Sequence, residues 1–177
     1  YNLGALEYEE GNLSVSKSYF AKYLKLRPED AGAHEIMFNV FARQGNVQKA
    51  FEEAKIIVRL SPKKLAPYHY IFDYLKSKGK YEEIIPVIEK GLQTNPKEIE
   101  FREYLALSYL KTGKESLAIA QIKEILKVRP KDVDLLFDLA VLYEKLGNFP
   151  RALNTYERVL EITPDNEKAE DAYLRLR

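Results

Sequence analysis

The chain has 177 residues, of which 46% are hydrophobic and 31% are charged, so it is too apolar for a disordered segment and long enough for an ordinary folded domain. Its 28 Lys and Arg nearly balance its 27 Asp and Glu, and this balance excludes a general electrostatic attraction to nucleic acids or to anionic membranes. No apolar run approaches the roughly 20 residues of a membrane-spanning helix, and without Cys the chain has neither disulfides nor thiolate metal sites. We expect a soluble protein with no membrane insertion, and because either redox environment suits a chain without Cys, the cytoplasm is only slightly favoured.

Glycine and proline recur at a fixed interval along the whole chain. Five of the eight glycines stand 34 residues apart, at Gly11, Gly45, Gly79, Gly113 and Gly147. Five of the eight prolines each follow their glycine by 17 residues, at Pro28, Pro62, Pro96, Pro130 and Pro164. Gly supplies the left-handed residue that ends a helix, and Pro keeps the residue before it out of the helical region. Each 34-residue period therefore predicts two helices.

The five periods divide the chain into consecutive repeats. We predict repeats over residues 1–30, 31–64, 65–98, 99–132 and 133–166, with 167–177 as a partial sixth repeat or a C-terminal capping helix. Polar residues that follow the repeated glycines and prolines are candidate helix caps. The candidates for second helices are Asn12, Asn46 and Asn148, and those for first helices are Asp30, Asp132 and Asn166.

Apolar residues between these marks follow helical spacing. In the fifth repeat one predicted buried stripe comprises Phe149, Ala152, Leu153, Tyr156, Val159 and Leu160, and the other comprises Leu136, Leu139, Ala140 and Tyr143. Pro86 lies about one turn into the second helix of the third repeat. We expect it to shorten or bend the start of that helix.

The repeat pattern resembles the tetratricopeptide repeat family over essentially the whole chain. The eighth residue before each glycine is a large apolar one, and the fifth after it is mostly small: Leu3, Met37, Ile71, Leu105 and Leu139, then Ser16, Ala50, Ile84, Ala118 and Ala152. Ile84 departs from the family pattern, as do Phe38 and Phe72 at another small position, so we expect wider helix spacing in the second and third repeats. The resemblance implies an all-α, right-handed superhelical solenoid of stacked antiparallel helix pairs, forming a single domain over residues 1–177.

Motifs that would indicate catalysis or a bound metal are incomplete. His34 and Glu35 begin like a zinc-protease helix, but that motif requires a second His where this chain has Phe38. Gly79-Lys80 and Gly113-Lys114 lack the remaining residues of a phosphate-binding loop. We therefore expect no catalytic residue, no metal, no cofactor and no enzymatic activity.

The resemblance also implies which side chains face a partner, because first helices line the concave groove in that family. Counting back from each glycine gives the expected protein-binding residues Tyr1, Tyr8, Glu35, Asn39, His69, Tyr70, Asp73, Lys76, Glu103, Tyr104, Leu107, Leu110, Phe137, Asp138, Val141 and Glu144. Glu100 and Asp134 lie on the same face, and basic residues are scarce on it. The groove is therefore expected to be negative and to take a protein segment with apolar anchors and Lys or Arg. The alternative, that these acids are merely solvated, stays open.

We interpret the chain as a non-catalytic scaffold that binds a partner protein and helps to assemble a multiprotein complex. An alternative is a regulatory or substrate-docking segment of a larger enzyme or of a cell-envelope or polysaccharide assembly protein. The net charge of +1 disfavours a third reading, an RNA-binding helical repeat, and we expect no nucleic-acid partner.

Two further expectations concern partners and chain ends. The family members that grip chaperone carboxylates use Lys and Asn where this chain has other residues, so we expect no such clamp; the residues here are Tyr1, Ala5, Ile36, Ala66 and Tyr70. The repeat pattern is already under way at Tyr1, so we expect the chain to be a fragment of a longer protein. Repeats that lack a neighbour leave core surface uncovered, which makes head-to-tail self-association a hypothesis.

Overall fold

Eleven α-helices and no strand make up the computed structural model, which describes all residues 1–177. The helices are α1 (Asn2–Glu9), α2 (Leu13–Leu26), α3 (Ala31–Arg43), α4 (Val47–Leu60), α5 (Ala66–Ser77), α6 (Tyr81–Thr94), α7 (Ile99–Lys111), α8 (Glu115–Val128), α9 (Val133–Lys145), α10 (Phe149–Ile162) and α11 (Glu167–Leu176). Two helices in each of the five periods are therefore confirmed.

The repeated glycines end the first helix of each pair in the left-handed conformation. Gly113, for example, has a φ of +70°, and the N–H of Lys114 bonds back to the carbonyl of Tyr109 at 2.8 Å. This is the six-residue closure of a Schellman turn, which satisfies a carbonyl that the helix end would otherwise expose. The glycine period thus fixes where each hairpin turns.

Most of the predicted caps form, and one does not. The side chains of Asp30, Asn46, Asp132, Asn148 and Asn166 each accept a bond from the backbone N–H three residues on. The prediction for Asn12 is wrong, because its side-chain amide instead donates to Glu7 at 2.9 Å, across the turn between α1 and α2.

The expected shortening at Pro86 does not occur. Helix α6 has 14 residues, the same length as α2, α4, α8 and α10. Pro86 lies on the exposed side of α6, and Glu82, whose carbonyl loses its helical bond at Pro86, is also an exposed residue. The neighbouring Ile84 is fully buried.

The chain divides into two compact units, an N-terminal unit of residues Tyr1–Lys97 and a C-terminal unit of residues Glu98–Arg177. In the N-terminal unit one core cluster comprises Phe20, Ala33, Met37, Phe41 and Ala50. The core of the C-terminal unit runs from Ala106 to Ala172 and takes in α11 through Ala169. That residues 1–177 form one continuous domain stays a prediction.

Bulky residues at the normally small positions are accommodated within the N-terminal unit. Phe38 packs edge-on against Tyr70, with ring centroids 4.9 Å apart, and Phe72 is only 4% exposed. At Gly4, by contrast, a larger residue would not fit, because a Cβ added there would lie 2.9 Å from a ring carbon of Phe20. The expected wider helix spacing in the second and third repeats stays a prediction.

Candidate protein-binding face

An open cavity of ≈ 660 Å³ lies between α9, α10 and α11 in the C-terminal unit. We call it the α9–α11 cavity, and its lining residues are Phe137, Val141, Glu144, Lys145, Phe149, Tyr156, Lys168, Asp171, Ala172 and Arg175. Three of the predicted binding residues, Phe137, Val141 and Glu144, come together here, because spacings of four and three residues place them on one side of α9.

Aromatic and aliphatic side chains form the apolar part of this cavity. Tyr156, 1% exposed, lies at its floor, and Phe137 packs against it with ring centroids 5.6 Å apart at 63°. Val141 and Phe149 are 41% and 49% exposed, so both present apolar surface to solvent. The prediction of Phe149 as buried is wrong, because α10 begins at this residue and no preceding helical turn covers it.

A salt bridge forms one wall of the cavity. The guanidinium of Arg175 donates two bonds to the carboxylate of Glu144, at 2.6 and 3.1 Å, and the Tyr156 hydroxyl donates a third at 3.2 Å. Arg175 lowers the pKa of Glu144, while burial and then the Glu144 charge raise the pKa of Tyr156 to about 12. Glu144 therefore orders the wall and is not a free charge for a partner.

The sequence-based prediction missed the α11 side of the cavity, although the repeat interval carries the signal. Adding 34 to the first-helix positions 134, 137, 138 and 141 gives 168, 171, 172 and 175. Those positions are Lys168, Asp171, Ala172 and Arg175, all of which line the cavity. A count back from the repeated glycines covers first helices only as far as the one that ends at Gly147, so it does not reach α11.

Three of the predicted acidic residues are already paired with cations. Arg129 bonds Glu103 at 2.7 Å and Lys64 bonds Glu35, as Arg175 bonds Glu144. Each cation lies 26 to 31 residues after its acid, in the following loop or first helix. The expected negative charge of the groove is reduced at these three positions, because cations from neighbouring segments lie beside the acids.

Carboxylates without an ion pair also lie on the first-helix side of the C-terminal unit. Asp171 lines the α9–α11 cavity, and Asp138 follows Phe137 on α9. Crowding by surrounding protein, and then the charges of Asp134 and Asp132, raise the pKa of Asp138. A cation brought by a partner would relieve this repulsion.

The predicted residues on α7 lie outside this cavity. Tyr104 donates to Glu100 at 3.5 Å, the limit of a hydrogen bond, and both residues are on the helix surface. Leu107 is half-buried, and Leu110 packs against the core cluster of the C-terminal unit. These residues extend the first-helix side without joining the α9–α11 cavity.

Predicted aromatic residues of the N-terminal unit are largely engaged in packing. Tyr1 packs edge-on against Phe20, with centroids 5.2 Å apart, and burial raises the pKa of Tyr70, whose hydroxyl donates to the Val47 carbonyl at 3.3 Å. The ring of Tyr8 lies 4.6 Å from the guanidinium of Arg43. These contacts engage all three rings, although Tyr1 remains 46% exposed.

The polar members of the prediction in the N-terminal unit lie on the surfaces of α3 and α5. Asn39, Asp73 and Lys76 are exposed, and His69 is half-buried. The Lys76 ammonium lies 5.4 Å from the ring centroid of Phe72. Nowhere do three or more His, Cys, Asp or Glu side chains converge on a point that a metal ion could occupy.

Comparisons with known proteins agree with this architecture. A family model described as Tetratricopeptide repeat matches residues 1–64 and 78–167. No curated protein matches the chain. None of the helices has the length and apolar character needed to cross a membrane.

Solved structures with the same fold share little sequence with the chain. YrrB, a TPR protein with an unusual peptide-binding site, matches with a TM-score of 0.65 and 19% identity, over 97% of this chain and 88% of its own. MamA matches with a TM-score of 0.64 and 17% identity, over 94% and 91%. The protein pilF of Pseudomonas aeruginosa matches with a TM-score of 0.58 and 21% identity, over 99% and 80%. These likenesses confirm the all-α, tetratricopeptide-like fold class.

Proposed function

The chain belongs to the tetratricopeptide repeat family, and we propose that it is a non-catalytic scaffold whose α9–α11 cavity binds a segment of a partner protein. Proteins of this family are in general interaction scaffolds, and stacked helical repeats present extended binding surfaces. The observation that carries the proposal is the meeting of exposed Val141 and Phe149 with a buried aromatic floor in one cavity.

The cavity chemistry favours a segment that combines an apolar anchor with a basic side chain. Val141, Phe149 and Phe137 offer apolar contact around the Tyr156 ring. Buried aromatic contacts of this kind contribute most of the affinity at protein interfaces. The carboxylates of Asp134, Asp138 and Asp171 on the first-helix side have no ion pair in the structure. They outnumber the one unpaired cation of the cavity, Lys168, so a Lys or Arg of the partner has a counter-charge beside the apolar surface.

A random peptide library selected on the immobilised chain tests this proposal. We expect enriched peptides to carry a large apolar residue near Lys or Arg, and Val141→Asp to weaken their binding by roughly tenfold or more. Val128→Asp is the matched control, because Val128 is an exposed valine at the end of α8 that lies outside the cavity. Equal binding by Val141→Asp and wild type would contradict the proposal.

A further inference from the structure

A second cavity, of ≈ 470 Å³, lies on the opposite side of α9, between α8 and α10. We call it the α8–α10 cavity, and its lining residues are Lys123, Leu126, Lys127, Leu139, Tyr143, Pro150, Arg151, Asn154, Thr155 and Arg158. Four of the ten are cations and none is a carboxylate. The first-helix residues predicted to bind a partner take no part in it.

Three of these four cations form no ion pair in the protein, although the charge of Lys123 acts on the neighbouring Glu124. Lys127 is paired with Glu124 at 2.6 Å. Lys123, Arg151 and Arg158 form no ion pair, and the Arg151 guanidinium lies 5.8 Å from the ring centroid of Tyr143. Like charges gathered around one concave surface repel each other, so a bound anion would be stabilised there.

The floor of this cavity also offers a hydrogen-bond donor. Tyr143 is only 8% exposed, yet its hydroxyl forms no hydrogen bond within the protein. Buried hydroxyls nearly always have a partner. Since no side-chain oxygen or nitrogen in the structure is both fully buried and unbonded, the Tyr143 hydroxyl is accessible to solvent, and Tyr143 lines this cavity. It can donate to a ligand held by the surrounding cations.

The same place two repeats earlier shows that the fold alone does not produce this arrangement. Positions 68 residues before Pro150 and Arg151 hold Glu82 and Glu83, and Glu83 is paired with Lys80 at 2.6 Å. The position that corresponds to Tyr143 is Leu75. Cations also stand at three corresponding positions there, 55, 59 and 90, but Lys55 is paired with Glu52 and Arg59 with Glu29. The fifth repeat therefore differs from the third in its unpaired cations and in its phenol.

We propose that the α8–α10 cavity binds a small phosphate-bearing anion. Its volume lies in the range of small-ligand pockets, roughly 300–1,000 Å³. Two arginines on one face of α10 suit phosphate oxygens, which accept paired guanidinium bonds. The cations of α8 and α10 surround one cavity. This arrangement suits a ligand whose negative charge is concentrated on a single group better than an acidic peptide, whose charge is spread along its length.

NMR titration of the whole chain with inorganic pyrophosphate, in phosphate-free buffer, tests this site. We expect saturable shifts confined to α8, α9 and α10, and a loss of affinity of roughly tenfold or more for the double variant Lys123→Glu, Arg158→Glu. Tyr143→Phe keeps the ring and removes the donor, and we expect it to weaken binding about fivefold. Lys123 and Arg158 are exposed, so their replacement leaves the core intact.

The matched control is Lys55→Glu, Lys90→Glu, which changes the net charge equally at the corresponding positions two repeats earlier. Unchanged pyrophosphate affinity in this control supports a local site. Equal losses of affinity in the two double variants would show that binding depends only on the net charge of the protein, and would overturn the proposal. Absence of saturation would overturn it as well.

Two further ligands distinguish the sources of the anion. Adenosine triphosphate that binds at least as tightly as pyrophosphate, with the same shifted residues, would support a nucleotide-like ligand. A glutamate-rich peptide that binds more tightly than either would overturn the small-molecule assignment in favour of a protein partner. The proposed anion site is separate from the α9–α11 cavity. We therefore expect Val141→Asp to leave pyrophosphate binding unchanged.

Discussion

Arg175 on α11 holds Glu144 on α9 through two hydrogen bonds, although 31 residues separate them in the sequence. The carboxylate in turn accepts a bond from the buried Tyr156 of α10, so one acid joins all three helices around the α9–α11 cavity. The wall of the candidate binding site is therefore a charged network.

The ion pair between Arg175 and Glu144 makes a contribution to folding stability that depends on pH in the acidic range. Arg175 lowers the pKa of Glu144, so this stability is present above the ordinary glutamate pKa of 4.5 and is lost as the pH falls through the lowered folded-state value. Thermal unfolding followed by circular dichroism should show Arg175→Gln losing less stability than wild type below about pH 4.5. Lys168→Gln, an exposed cation of the same helix without an ion pair, should behave like wild type. Parallel acid profiles for wild type and Arg175→Gln would contradict this account.

Tyr156 gives the opposite dependence at alkaline pH. Its pKa is raised from 10.0 to about 12, so the folded state keeps a proton that the unfolded state releases. Stability contributed by the neutral phenol is full below about pH 10 and is lost as the pH rises through about 12. The unfolding midpoint of wild type should fall more steeply over this window than that of Tyr156→Phe. Identical slopes would show that the phenol is not held neutral by folding.

His34 should be important for the stability of the N-terminal unit. Its Nδ1 lies 2.6 Å from a carboxylate oxygen of Glu53, and its Nε2 lies 2.9 Å from the carbonyl of Pro28. Both ring nitrogens lie within hydrogen-bond distance of an oxygen, so replacing the ring removes the partner of the Pro28 carbonyl and of the mostly buried Glu53 carboxylate. Chemical unfolding should show His34→Ala destabilised by about 2–4 kcal/mol.

Asn39→Ala is the control for His34→Ala, because Asn39 is an exposed residue of the same helix. It should change the free energy of unfolding by less than about 0.5 kcal/mol. Equal effects of the two substitutions would contradict a specific role for the His34 contacts.

The N-cap positions of α2 and α4 allow the same substitution to be compared in two successive repeats. Asn46 accepts a bond from the Lys49 N–H at 3.1 Å, whereas Asn12, at the same place one repeat earlier, makes no cap bond. Asn46→Ala should cost about 1 kcal/mol of unfolding free energy, within the usual range for an N-cap, and Asn12→Ala should cost less. Urea unfolding of the two variants checks this order, and the reverse order would refute it.

The sequence predicts the helices well because their boundaries depend on local chemistry. Gly113 can adopt a positive φ at little cost, and Asp132 can cap α9 from within its own turn. Both effects act within a few residues, so their recurrence every 34 residues can be recognised in the sequence.

The candidate binding face was predicted less completely because its character depends on contacts between repeats. The family offsets placed Phe137 and Val141 on the side of α9 that lines the α9–α11 cavity. They gave no indication that Arg129 would neutralise Glu103 or that α11 would supply Arg175, because these contacts join residues 26 and 31 positions apart. Phe149 has the spacing of the apolar residues on one face of α10. That spacing does not show that a residue in the first turn of the helix is exposed.

Hydrogen exchange of the C-terminal unit, with and without a peptide obtained by selection, tests the central proposal most directly. Slowed exchange should concentrate in α9 and α11 around Val141 and Arg175, and Val141→Asp should abolish it at the same peptide concentration. Protection confined to α8 and to the α10 residues of the α8–α10 cavity, or protection unchanged in Val141→Asp, would contradict binding in the α9–α11 cavity.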